Sequence, residues 1–204
     1  MFSTSRAKKN VEKKDIKYIP AGIHENVTLK SVRIDKSPNG NTFIEFTFDK
    51  DGATLTHTEW EPTLGGPTTT QEQLEKKADN IVSRIMQIMY CFYSEEDAVF
   101  EGDTFKSFID WVAYKLSSVD KTKNLRVKVV YNNKGYTALP SYAKYTFIEP
   151  QELPEGVKSS ITELGIDVFT RPVIADVETP VANADPFADM KPVINNEDPN
   201  GLPF

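Results

Sequence analysis

Between Ile23 and Trp60, apolar positions alternate with polar ones at the period of half-buried β-strands. Val27 and Leu29 share one face, with Thr28 and Lys30 on the other. After Ser31 the apolar parity shifts to Val32 and Ile34, as a β-bulge would produce. Ser37-Pro38-Asn39-Gly40-Asn41 reads as a tight turn, because Asn-Gly is a strong hairpin signal. From Thr42 to Phe48, Ile44, Phe46 and Phe48 alternate with Phe43, Glu45 and Thr47, so Phe43 is expected to point outward. Lys50-Asp51-Gly52 turns the chain again into Ala53 to Trp60. These signals predict a three-stranded antiparallel meander.

Pro62 to Thr70 breaks the alternation, and the period then changes to that of a helix. Thr70 with Gln73 forms a capping box. Behind it Leu74, Ala78, Ile81, Val82, Ile85, Met89 and Phe92 fall on one face. Thr104 to Leu116 repeats the pattern with Phe105, Phe108, Ile109, Val112 and Leu116. Strand periodicity returns from Leu125 to Tyr131, and Asn132-Asn133-Lys134-Gly135 is a turn. Tyr136 to Tyr142 reads as a loop, and Ala143 to Ile148 as a fifth strand. The expected fold is therefore mainly β with a helical insertion at about 71–117, a five-stranded OB-fold-like barrel over residues 21–150. Residues 151–174 form a short appended segment, with a short helix near Ser159 to Leu164. From Ala175 periodicity ends and prolines recur, which predicts a disordered acidic tail over 175–204.

Charge divides the chain in the same places. Residues 1–150 carry 21 Lys and Arg against 20 Asp and Glu, whereas residues 151–204 carry 3 against 10. The arm of residues 1–20 is basic, with Arg6, Lys8, Lys9, Lys13, Lys14 and Lys17 against Glu12 and Asp15. A basic arm, a near-neutral body and an acidic tail fit a nucleic-acid binder whose tail competes with its ligand. Across the 204 residues no apolar run approaches the roughly 18 that a bilayer requires, and the first 17 lack the apolar core of a signal peptide. A cytoplasmic protein with no membrane association is expected, in the host cytoplasm if the chain is viral. Cys91 alone cannot build a disulfide framework, and His24 and His57 offer no structural zinc set.

Catalytic chemistry is not predicted. Cys91 lies in the apolar run Ile88-Met89-Tyr90-Cys91-Phe92 and reads as a packing residue. Asp49 and Asp51 open like a calcium loop, but turn chemistry explains them, since no bidentate Glu follows. No catalytic residue, metal or cofactor is assigned. Binding a single strand needs cations that track phosphates and aromatic faces that stack on bases. The meander offers Lys30, Arg33, Phe43 and Trp60. The fourth strand projects Arg126 and Lys128 away from its core set, and Lys134, Tyr136, Tyr142, Lys144 and Tyr145 interleave beyond it. These are the candidate DNA contacts. Two other readings compete: a structural or adaptor barrel of a virion or replisome, and a metal-dependent nuclease using Glu59 and Glu61.

The chain ends Asn195-Asn196-Glu197-Asp198-Pro199-Asn200-Gly201-Leu202-Pro203-Phe204. An acidic tail ending in Leu-Pro-Phe resembles the C-terminal tip of single-stranded DNA-binding proteins, and the chain as a whole resembles a divergent bacteriophage member. Glu197 and Asp198 stand for the family's acidic run, while Asn200 and Gly201 occupy positions where the family usually has acids. The resemblance implies a protein that coats single-stranded DNA in replication, recombination and repair. It also implies that Glu197, Asp198, Leu202, Pro203 and Phe204 recruit replication or recombination proteins. Such a tip seats its terminal aromatic in an apolar pocket whose basic rim meets the carboxylates. Homo-oligomer formation is left open.

Overall fold

The first strand, β1 (Gly22–Lys36), is long enough to serve two neighbours. Its opening residues pair antiparallel with β4 (Leu125–Tyr131), from Gly22 opposite Val129 to Val27 opposite Leu125. From Thr28 onward it pairs with β2 (Thr42–Lys50). The register shift between Leu29 and Ser31 is the bulge expected from the parity change, and a second shift between His24 and Val27 surrounds Asn26 at φ 58°. These irregularities bend β1 from one neighbour to the other. The computed structural model describes residues 17–63 and 70–172. The first sixteen residues of the expected basic arm, the expected disordered tail and its tip residues Glu197, Asp198, Leu202, Pro203 and Phe204 lie outside the described residues.

β2 turns into β3 (Ala53–Trp60) through Asp51 and Gly52, which take φ 52° and 81°. With Lys50 opposite Ala53, this is a two-residue hairpin needing positive φ at both central positions. The Asp49 carboxylate accepts a hydrogen bond from the Gly52 amide at 3.3 Å, so it serves the turn. The strand order is β3-β2-β1-β4-β5, and β5 (Thr137–Ala138) lies against β3. The sheet thus almost closes on itself. The architecture is mainly β, a nearly closed five-stranded OB-fold-like barrel with, among the described residues, two helices between β3 and β4. Its core includes Val27, Leu29, Ile44, Phe46, Phe48 and Val127.

The barrel's last strand departs from expectation. Residues 143–147 form no strand; the outer edge of β4 is shared by β5 at Val130–Tyr131 and by β6 (Ile148–Pro150) at Leu125–Val127. Part of the intervening backbone is satisfied by a side chain, while the Phe147 carbonyl accepts from the Lys128 amide of β4 at 2.8 Å. Gln87 donates to the carbonyls of Ala143 and Tyr145, each at 3.2 Å, and accepts from the Phe147 amide at 3.1 Å. A single glutamine replaces a strand partner here.

Both helices start where their caps predict. Thr70 and Gln73 make the reciprocal capping box of α1 (Gln71–Met89), and Thr104 accepts from the Ser107 amide to begin α2 (Phe105–Ser117). α1 buries Ile81, Ile85, Ile88 and Met89, while Val82, expected on the same buried face, is exposed. α2 buries Phe108, Ile109, Val112 and Leu116 and packs against β1. Cys91 is buried, with its thiol directed at the Gln87 carbonyl, and burial pushes its pKa well above the ordinary thiol range. An aromatic disulfide reagent should therefore modify Cys91 only as fast as the fold opens. Prompt stoichiometric labelling of the native protein would contradict this packing.

No helix forms near 159–164. The Ser159 hydroxyl and the Ser160 amide instead bond the Glu149 carboxylate, and the Ile161 amide turns back onto the Ser159 hydroxyl. Such local side-chain bonds compete with a helical ladder. The segment from 151 to 172 runs as a strap across the outer face of β4. It is fastened to Glu149 through Ser159 and Ser160, to Lys128 through the Thr162 carbonyl and Asp167, and to the Tyr131 amide through the Val168 carbonyl at 2.8 Å.

Candidate functional site

Phe43 and Trp60 face each other across β2 and β3, with ring centroids 4.6 Å apart. Parity places Phe43 on the outer surface, as expected, but it is only 8% exposed there. Trp60 covers one side, and the Arg33 guanidinium lies 5.4 Å from its ring centroid. Phe43 is thus a platform for Trp60 more than a free stacking face. Trp60 itself is 45% exposed.

The residue beside Trp60 fixes the surroundings. Glu59 is buried, with both carboxylate oxygens bonded by Arg84 of α1 and Oε1 also 3.0 Å from His57 Nε2. Burial alone would raise its pKa, but the hydrogen bonds from Arg84 and His57 outweigh it and hold the carboxylate below its ordinary value. Arg84 also donates to the Ser141 carbonyl at 2.9 Å. One guanidinium therefore ties β3, α1 and the loop after β5 together. That loop carries Tyr142, Lys144 and Tyr145, with the two tyrosines edge to face at 5.6 Å and the Lys144 ammonium 5.5 Å from the Tyr145 centroid. Trp60 shares a concavity of about 320 Å³ with Lys77, Asn80 and Arg84 of α1. The arrangement brings an indole, a tyrosine and several cations to one region of the barrel rim.

Lys134 and Tyr136 ride on the β4–β5 turn. The Asn132 side-chain oxygen accepts from both their amides, and Gly135 at φ 72° completes the reversal. Tyr136 is left 65% exposed.

The predicted cations behave less uniformly. Lys30 faces Asp49 at 3.5 Å, Arg33 pairs with Glu45 and Asp35, and Arg126 is shared by Glu25 and Glu149. Lys128 corrects the sequence reading most sharply. Its side chain is fully buried under the strap, where the ammonium donates to the Thr162 carbonyl, to Asp167 at 2.8 Å and to the Tyr142 hydroxyl at 2.9 Å. It has no path to a phosphate. Tyr142 is likewise held half-buried, its hydroxyl donating to Asp167 at 2.9 Å. Lys134, Lys144 and the unpredicted Lys77 have no acidic partner among the described residues. Lys77, Arg84 and Gln87 were missed because they sit on a helix read only for its apolar face. The i, i+3, i+7, i+10 run of Lys77, Asn80, Arg84 and Gln87 was the available signal.

Glu59 and Glu61 do not form an open carboxylate pair, since Arg84 occupies both oxygens of Glu59 and Glu61 stands exposed beyond the strand. Among the described residues, His, Cys, Asp and Glu do not gather into a set that could hold a metal ion. No helix of the described residues is long and apolar enough to cross a membrane. No protein-family model matches the chain, and a search of curated proteins returns no match.

Proposed function

We propose that the protein binds single-stranded DNA in a sequence-tolerant manner, without catalysis, across the barrel rim around Trp60. The observation carrying this reading is the exposed Trp60, backed by Phe43 and flanked by Lys77 and Arg84, with Lys144 and Tyr145 on the loop that Arg84 holds. A base can stack on the indole while unpaired ammonium groups meet the adjoining phosphates. Lys134 and Tyr136 on the β4–β5 turn extend the surface, in the loop position where OB-folds engage oligonucleotides. Lys30, Arg33 and Arg126 contribute less, because each phosphate contact must compete with an existing carboxylate. The resemblance of the tail extends the proposal to coating DNA in replication, recombination and repair, in a phage-infected cell, with partner proteins recruited by Leu202, Pro203 and Phe204.

The test is a fluorescence-anisotropy titration of a mixed-sequence oligonucleotide of about 30 nucleotides, longer than the roughly 4–16 that one OB fold covers. Single-stranded and duplex forms are compared at two salt concentrations. Preference for the single strand, weakened by salt, is expected. Trp60→Ala should reduce affinity by about 1–3 kcal/mol, and Tyr136→Ala by a similar or smaller amount. Absence of binding to either form would overturn the proposal. Unchanged affinity in Trp60→Ala would move the site elsewhere.

A further inference from the structure

α1 carries more apolar surface than the core uses. Its later turns bury Ile81, Ile85, Ile88 and Met89, but Leu74, Ala78, Val82 and Met86 form a stripe at four-residue spacing that faces a groove of about 740 Å³. Phe105 and Phe108 of α2 make the opposite wall, and the connecting segment adds Val99, which is 64% exposed. An apolar stripe this continuous marks a docking surface.

The charge at its rim narrows the occupant. Glu61, Glu75, Glu95 and Asp103 line the groove, and among the described residues no Lys or Arg does. A basic segment with apolar anchors is complementary to this surface, whereas the acidic C-terminal residues would meet like charge. The first sixteen residues have the required chemistry: Met1, Phe2, Val11 and Ile16 as apolar groups, with Arg6, Lys8, Lys9, Lys13 and Lys14 as cations. They are also tethered within reach. Lys17 accepts from the Thr54 amide, and Tyr18 bridges Thr54 on β3. Thr54 is about 20 Å along that strand from its end beside Glu61. Sixteen extended residues span about 53–58 Å, enough to double back to the groove. A covalent tether of this length gives an effective concentration in the millimolar range, so the chain's own arm outcompetes that of a second copy in dilute solution.

We infer that residues 1–16 dock intramolecularly in the acid-rimmed groove between α1 and α2, with Phe2 as the aromatic anchor. This inference does not depend on DNA binding. It is tested in the full-length chain by placing a nitroxide on Ser3→Cys; buried Cys91 is left unmodified. The methyl resonances of Leu74, Val82 and Val99 should lose most of their intensity, and reduction of the nitroxide should restore it. Mixing isotope-labelled, spin-free copies with unlabelled, spin-bearing copies should produce no loss. The double variant Glu75→Lys/Glu95→Lys should recover the signals, as should about 1 M salt, where the screening length is about 3 Å. Three results would overturn the inference: full intensity at the groove, equal loss in the mixed sample, or loss insensitive to both charge reversal and salt.

Discussion

Lys128→Met should lower the unfolding free energy by about 3–5 kcal/mol, a shift on the order of 10 °C in the midpoint of thermal unfolding. The reason is the partner left behind. Lys128 and Asp167 are both fully buried, and their ion pair is completed by the Tyr142 hydroxyl and the Thr162 carbonyl. Removing the ammonium leaves a buried carboxylate with only the Leu164 amide, at 2.8 Å, and the Tyr142 hydroxyl to compensate it. Replacing both partners, as Lys128→Met with Asp167→Leu, should recover most of the loss, because neither charge then needs desolvating. Urea unfolding of the two single variants and the double variant measures this directly. A loss in the double variant equal to the sum of the singles would show that the pair has no net coupling.

The same pair gives the fold an acid limit. Burial would raise the pKa of Asp167, but hydrogen bonds from Lys128, the Leu164 amide and Tyr142 prevail and lower it from the ordinary 3.8. Its folded pKa is therefore below its unfolded one. The stabilisation it brings is present above pH 3.8 and is lost as pH falls through the folded value.

Lys128 also shows where sequence reading stops. Alternation along β4 correctly puts it opposite Val127 and Val129, away from the barrel core, but outward in parity is not outward to solvent. The group that covers it, Asp167, lies 39 residues further along, in a segment without helical or strand periodicity. Period-2 patterns report which side of a strand a residue occupies, not what packs upon that side. The fifth strand failed for a related reason. Ala143 to Ile148 has strand-like composition, but only Ile148 enters a strand; the Ala143 and Tyr145 carbonyls and the Phe147 amide are claimed by the Gln87 side chain, a long-range substitution that leaves no mark on local pattern. The bulge after Leu29, the Asp51-Gly52 turn, the capping box at Thr70 and the inward set of Phe46 and Phe48 were legible because each is decided within a few residues. Within the candidate site, Trp60, Tyr136 and Tyr145 were legible as exposed aromatics. Which cations remain unpaired was not, since Glu45 and Glu149 reach their partners only through strand pairing.

Arg84→Met should cost about 3 kcal/mol near neutral pH and reverse the local dependence of stability on pH. In the native protein Glu59 has a lowered pKa, so its contribution is complete above the ordinary 4.5 and disappears as pH falls through the folded value. Without Arg84, the burial of Glu59 is opposed only by His57, and the carboxyl's pKa rises. The variant's deficit should then be smallest at acid pH, where the carboxyl is protonated, and should grow as pH rises above 4.5. Arg84→Met combined with Glu59→Gln should remove this slope, and unfolding curves across pH 4 to 7 give the comparison. An unchanged slope in Arg84→Met would mean that the guanidinium does not set the ionisation of Glu59. The functional consequence follows from the third bond Arg84 makes, to the Ser141 carbonyl. Losing it frees the loop bearing Lys144 and Tyr145 from the strand bearing Trp60, so single-strand affinity should fall although Arg84 need not touch DNA. Glu59→Gln alone separates the two effects. It keeps a polar partner for Arg84 and leaves the Ser141 bond in place, so on this account it should weaken binding less than Arg84→Met does.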